Sequence, residues 1–141
     1  LPYLTGERLA EHTNSRAQFF GLQRKHRRGR LFRAVLEGVA FASWRNLRQL
    51  QKCGQYPQQM IASGGGARSS LCLEIKAAAY NLPILSTRNQ ENGVTGCGII
   101  AGVGVGLYVD FASGVRQTVQ FDKLITGSPS AGLLPRLLRA F

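Results

Sequence analysis

A chain of 141 residues, 44% of them hydrophobic, has the size of one ordinary domain and enough apolar content for a packed core, which excludes a disordered chain. Lys and Arg outnumber Asp and Glu by 18 to 7, a net charge of +11, so the field of the chain favours anionic ligands, sugar phosphates and ATP among them. No apolar run reaches the ~18 residues of a membrane span, and a start at Leu1 without an initiator methionine leads us to expect a segment of a longer protein.

In chain order, residues 1–22 are punctuated by Pro2, Gly6, Asn14 and Gly21 and read mostly as loop, with Phe19 and Phe20 assigned to the core. A helix is expected over about residues 28–52. Leu31, Val35, Val39 and Ala42 share one face, and Leu36, Ala40, Leu47 and Leu50 widen it. Between Ala34 and Trp44 only Glu37 and Ser43 are polar, so this helix is expected to be buried on most sides. Glu37 is read as satisfying nearby backbone or an arginine, and Gly54 as the helix stop. A short strand follows over residues 60–63, a helix over 69–81 and a second short strand over 83–86. A glycine-rich helix is expected from residue 91 to about 106. Asp110 is read as capping a short helix through Val119, and residues 133–138 as a terminal helix. Strands alternating with helices argue for an α/β layer.

Five of the seven residues 24–30 are Lys or Arg. Such a cluster can meet nucleic-acid phosphates, but no aromatic residue is interleaved to stack on bases, and a solvated loop with a first helical turn accounts for it equally. Cys53, Cys72 and Cys97 are odd in number and lack a paired spacing, so they read as reduced, mostly buried thiols of a cytoplasmic protein. His12 and His26 have no metal-ligand neighbours in sequence, and no metal site is expected.

The most telling segment is Met60-Ile-Ala-Ser-Gly-Gly-Gly-Ala-Arg-Ser-Ser70. An apolar strand runs into Gly64, Gly65 and Gly66 and then into a helix start. Glycines let a ligand approach the main chain, and the N–H groups of a helix N-terminus face such a corner. The corner suits a nucleotide, although a glycine turn between strand and helix commonly only redirects the chain.

Four segments together resemble the C-terminal region of the FGGY carbohydrate kinases, most closely the xylulokinase-like branch. They are Leu1-Pro-Tyr-Leu-Thr-Gly-Glu-Arg8; Phe19-Phe-Gly-Leu22 with Leu31-Phe-Arg-Ala-Val-Leu-Glu-Gly-Val-Ala-Phe41; Ser63-Gly-Gly-Gly-Ala-Arg-Ser69; and Glu91 with its small-residue helix and Gly104-Val-Gly106. The resemblance implies a partial actin-like, ribonuclease H-like ATPase fold of α/β class. On it, residues 1–141 are the nucleotide-side part of the second kinase domain, and the N-terminal sugar-binding domain lies outside this chain. The family's two domains close around ATP, Mg²⁺ and a sugar.

The same resemblance implies a nucleotide site at Gly64, Gly65, Gly66, Ala67 and Ser69. Gly65 then lies against the nucleotide, and Ser69 stands where a polar side chain meets base or ribose. Arg68 lies over the base or faces solvent. Glu7 and Arg8 join the cleft or organise their loop as an ion pair, and Glu91 fills a family acidic position or favours the following helix N-terminus. The chain departs from the family pattern at Ala10, where proline is expected, and at Arg30, where His, Asp, Glu, Asn or Gln is preferred. Ala78 replaces a usual acidic residue, and Gly93, Thr95, Cys97 and Gly98 loosen a helix that is typically alanine-rich. These bear on the sugar and on activity rather than on the fold.

Phosphoryl transfer to a sugar hydroxyl needs a base, magnesium ligands and groups that bracket the phosphates. Seven carboxylates are present without a convincing pair. On the resemblance, the family's catalytic aspartate has no counterpart here, its phosphate-binding loops belong to earlier parts of the polypeptide, and the Mg²⁺ ligands lie mostly outside this chain. The expected function is ATP-dependent phosphorylation of a sugar or polyol, with this chain on the adenosine side of the cleft and inactive alone. Two alternatives stand beside it: a nucleotide-binding or regulatory relative without turnover, and a basic nucleic-acid module. A homo-oligomer is left open.

Overall fold

The longest element is α1, Arg28–Lys52, in the computed structural model, which describes residues 2–6, 14–89 and 91–127. The chain divides into two units, one holding α1 and the residues before it and the other beginning at Pro57. Glu7, Arg8, Ala10, His12 and the expected helix over residues 133–138 lie outside the described residues.

Helix α1 starts at Arg27 without a side-chain cap and with no acidic residue in its first turn. The basic cluster therefore opposes the positive end of the helix dipole. The helix is carried by its periodic aliphatic residues, by the Arg33–Glu37 pair at 2.8 Å one turn apart, and by Lys52 at the favourable end. It ends where Gly54 takes φ +80° and the Gln55 N–H returns to the Leu50 carbonyl at 3.0 Å. Pro2 packs on the helix at Gly38, 3.7 Å from where a Cβ would stand. Arg45 donates to the Tyr3 hydroxyl at 3.3 Å, and the Arg48 guanidinium lies 5.2 Å from the centre of the Trp44 ring. The cavity between Pro2, Tyr3 and this stretch of α1 is about 40 Å³, which suits water rather than a sugar.

The second unit is built on a βαβ crossover. Strand β1, Met60–Ala62, leads through a 3₁₀ turn, Gly65–Arg68, into α2, Ser70–Tyr80. The chain returns in β2, Ile84–Thr87, parallel to β1 with Met60 opposite Ile84 and Ala62 opposite Ser86. Helix α2 is capped at both ends. The Ser69 hydroxyl accepts from the Cys72 N–H, and Asn81 takes the left-handed conformation at φ 52°. Leu73, Ala77 and Ile84 form the core between α2 and the sheet, with Met60, Ala62, Tyr80 and Ile125 packed against them.

Two further helices precede the last strand. Helix α3 spans Asn92–Gly104 and packs on α4, Phe111–Thr118. Gly102 faces the Tyr108 ring so closely that a Cβ there would stand 2.6 Å from it, and a Cβ at Gly114 would stand 2.8 Å from Ile99. These two glycines are set by packing. Asp110 opens α4 with a capping box: its carboxylate accepts from the Ser113 N–H at 2.6 Å while the Asp110 N–H donates to the Ser113 hydroxyl.

The Ser113 backbone N–H first, and then the Ser113 side chain, hold the Asp110 carboxyl pKa below its ordinary value, with Arg116 adding to the effect. Its stabilisation of α4 is complete above the ordinary aspartate pKa and fades as pH falls through the lower folded value. Asp110→Ala should therefore destabilise at neutral pH. Unfolding midpoints of variant and wild type should converge on acidification, as followed by circular dichroism.

Strand β3, Phe121–Ile125, closes the sheet antiparallel to β2, in the order β1-β2-β3. The register shifts between Leu85 and Thr87. There the buried Ser86 hydroxyl bonds both the N–H and the carbonyl of Lys123, at 3.2 and 3.3 Å, standing in for the missing ladder contact.

Several expectations are corrected. Helix α1 is not buried on most sides, since Phe32, Val35 and Val39 are exposed; its apolar residues encircle the axis, and the described neighbours cover one sector. Phe19 and Phe20 are not core, and Phe20 is 96% exposed, because residues 15–20 run without regular structure and nothing described packs over them. Cys53 and Cys97 are exposed and only Cys72 is buried, the first two lying beyond the end of α1 and on the open face of α3. The expectation that small residues in α3 mark close packing holds at Gly102 alone, because Gly93, Gly96, Gly98 and Gly104 face open space. Strand β3 was not expected at all.

Candidate functional site

Parallel strands in an α/β sheet leave their ligand crevice beyond the strand carboxyl ends. Here that edge carries the glycine turn after Ala62 and the loop after Thr87. Gly64 stands at φ 77°, ψ −170°, a conformation that side chains other than glycine's resist. It is the one glycine of the three with a positive φ, so the sharp bend is made there. Gly65 and Gly66 enter the 3₁₀ turn, which closes with the Ala67 N–H on the Gly64 carbonyl at 3.0 Å. Their own N–H groups lie ahead of that first closure, as at any helix start.

A Cβ placed at Gly64, Gly65 or Gly66 would meet no atom within 4 Å. The turn is therefore open on its outer side, and nothing among the described residues explains the absence of side chains at Gly65 and Gly66. Ala67 is half-buried. Ser69 is exposed, and its oxygen is engaged in capping α2, receiving the Cys72 N–H at 3.2 Å. Its hydroxyl hydrogen is the group with which it could meet a ligand.

Arg68 and Glu91 face each other across this edge at 4.0 Å, both largely exposed. Glu91 is the residue before α3, but its carboxylate caps no N–H there; its backbone carbonyl accepts the Thr95 N–H and hydroxyl. The two form a surface ion pair, of modest energy, a contact that neither residue's sequence reading included. Glu37 is paired with Arg33 one turn away on α1, an arginine partner as expected.

The residues that sequence reasoning passed over are Thr87 and Asn92. Thr87 donates to the Asn89 carbonyl at 2.8 Å and receives the Asn92 side-chain amide at 3.2 Å. The signal was a threonine closing a strand and an asparagine opening a helix five positions on. Among the described residues, no group of three or more His, Cys, Asp or Glu could hold a metal ion.

Comparison with known proteins agrees with this architecture. Residues 1–105 match the FGGY family of carbohydrate kinases, C-terminal domain. A xylulose kinase of Staphylococcus epidermidis is 27% identical over 124 residues, which is 87% of this chain and 25% of that protein. An autoinducer-2 kinase of an Enterobacter species is 34% identical over 100 residues, 70% of this chain and 19% of its own. A solved xylulose kinase from Lactobacillus acidophilus superposes with a TM-score of 0.83 at 32% identity, over 99% of this chain and 29% of that one. The chain thus spans about a quarter of the length of the curated relatives it matches. Its mixed α/β fold is that of these sugar kinases, the actin-like, ribonuclease H-like fold. The chain belongs to the FGGY family of carbohydrate kinases.

Proposed function

We propose that this chain supplies the adenosine side of the cleft in an ATP-dependent sugar kinase, which transfers the terminal phosphoryl group of ATP to a hydroxyl of a xylulose-like sugar or polyol. The observation that carries the reading is the open glycine turn at the carboxyl end of β1, directly ahead of the capped N-terminus of α2. Gly64 makes the bend, Gly65, Gly66 and Ala67 offer a flat main-chain surface for a purine, and Ser69 offers a hydroxyl hydrogen to base or ribose. Arg68, held towards Glu91, borders that surface.

No group of three or more His, Cys, Asp or Glu among the described residues could hold a metal ion, and no step through magnesium is derived from them. In this reading the base, the metal ligands and the sugar contacts lie on other parts of the polypeptide, so the present residues alone would not turn over. They bind and orient the nucleotide, and closure of the cleft around it excludes water that would otherwise take the phosphoryl group. The similarity to xylulose kinases favours a xylulose-like acceptor.

The complete gene product carrying this chain should convert ATP and one member of a pentulose and polyol panel to ADP and sugar phosphate. Coupled ADP release and mass spectrometry of the product would read this. Nucleotide binding without phosphate transfer to any acceptor would instead favour a regulatory relative.

A further inference from the structure

We infer that Thr87 and Asn92 are positioning residues for the nucleotide at the glycine turn, an inference that rests on the reading proposed above. Thr87 is the last residue of β2 and only 7% exposed. Its oxygen lies where three pieces of chain meet: 3.5 Å from the carbonyl of Ala62, the last residue of β1, 2.8 Å from the Asn89 carbonyl, and 3.2 Å from the side-chain amide of Asn92, the first residue of α3. A hydroxyl has one hydrogen. The shorter contact takes it, so Thr87 donates to Asn89 and accepts from Asn92.

The loop between β2 and α3 is thereby tied at both ends. It presents Glu91, the residue just before Asn92, to Arg68 in the 3₁₀ turn. An exposed ion pair has too little energy to set a loop by itself. The buried hydroxyl and half-buried amide have enough, because a buried polar group that loses its partner is strongly disfavoured. Thr87 and Asn92 thus hold the loop and the start of α3 against the end of β1, the strand from which the glycine turn departs, and the Glu91–Arg68 contact adds only a weak tie at the rim.

The test uses the complete gene product, with ADP titrated by calorimetry and ATP and sugar varied in steady-state kinetics. Thr87→Val keeps the side-chain shape and removes the hydroxyl, Thr87→Ser keeps the hydroxyl, and Asn92→Ala removes the amide. Thr87→Val and Asn92→Ala should each raise the Kd for ADP and the KM for ATP by about three- to tenfold, with kcat and the sugar KM within about twofold of wild type, and Thr87→Ser should restore nucleotide affinity. Should Thr87→Val fail to fold, Asn92→Ala at its less buried position carries the same comparison. ADP affinity unchanged in both variants, or an equal loss towards sugar and nucleotide, would overturn the inference while leaving the nucleotide reading intact. A wild-type protein that binds no ADP would overturn that reading and the inference with it.

Discussion

Gly65→Trp in the complete gene product should raise the KM for ATP by about tenfold or more, the equivalent of at least ~1.4 kcal/mol of binding, while the sugar KM stays near wild type. The position is chosen because its backbone is unstrained and a Cβ there meets nothing within 4 Å. The indole can therefore be carried without disturbing the fold, and it fills the space in which we place the purine. Gly65→Ala, adding one methyl group into the same space, should shift the ATP KM far less. Gly64 would be a poorer choice, since its φ of 77° makes any side chain a test of backbone strain as well as of binding. An ATP KM unchanged by tryptophan at 65 would remove the nucleotide from this turn.

The largest effect on stability is expected at Leu73. Its side chain is 2% exposed and lies at the centre of the cluster with Ala77 and Ile84. Leu73→Ala should cost about 2–5 kcal/mol, from lost burial and the cavity left behind, against a typical domain stability of about 5–15 kcal/mol. Leu71, two positions earlier on the same helix and 38% exposed, should lose well under half as much on the same change. Denaturant midpoints at constant slope would separate the two. The comparison bears on the site too, because α2 starts at Ser69, directly after the glycine turn, so a loosened α2 loosens the edge of the turn.

These two positions also show what a sequence exposes and what it hides. Helix α2 and the bend before it were legible because their signals are local, an apolar period and three glycines; the capping by Ser69 and Asn81 emerged only in the structure. Helix α1 was legible in extent for the same reason, and Asp110 announced α4 as a helix-capping residue. The burial of α1 was not legible, because hydrophobicity all round a helix does not say which neighbours are present to cover it. Strand β3 was missed since Asp122 and Lys123 interrupt a five-residue run whose pairing with β2 is decided some 40 positions away. The glycine bend at 64–66 was legible from residue order alone, whereas the roles given to residues 64–69 came from the family resemblance. The roles of Thr87 and Asn92 were hidden, because a hydroxyl and an amide acquire meaning only when folding sets them 3.2 Å apart.

Helix α3 holds five glycines in thirteen residues, and among the described residues only Gly102 meets a neighbour that a Cβ would strike. Each of the other four gives up about 1 kcal/mol of helical preference relative to alanine. The element that starts beside the glycine turn is therefore under-reinforced along its outer surface. Alanine at 93, 96, 98 and 104 offers a direct route to a hardier protein for crystallography or prolonged assay, with the Tyr108 contact left untouched.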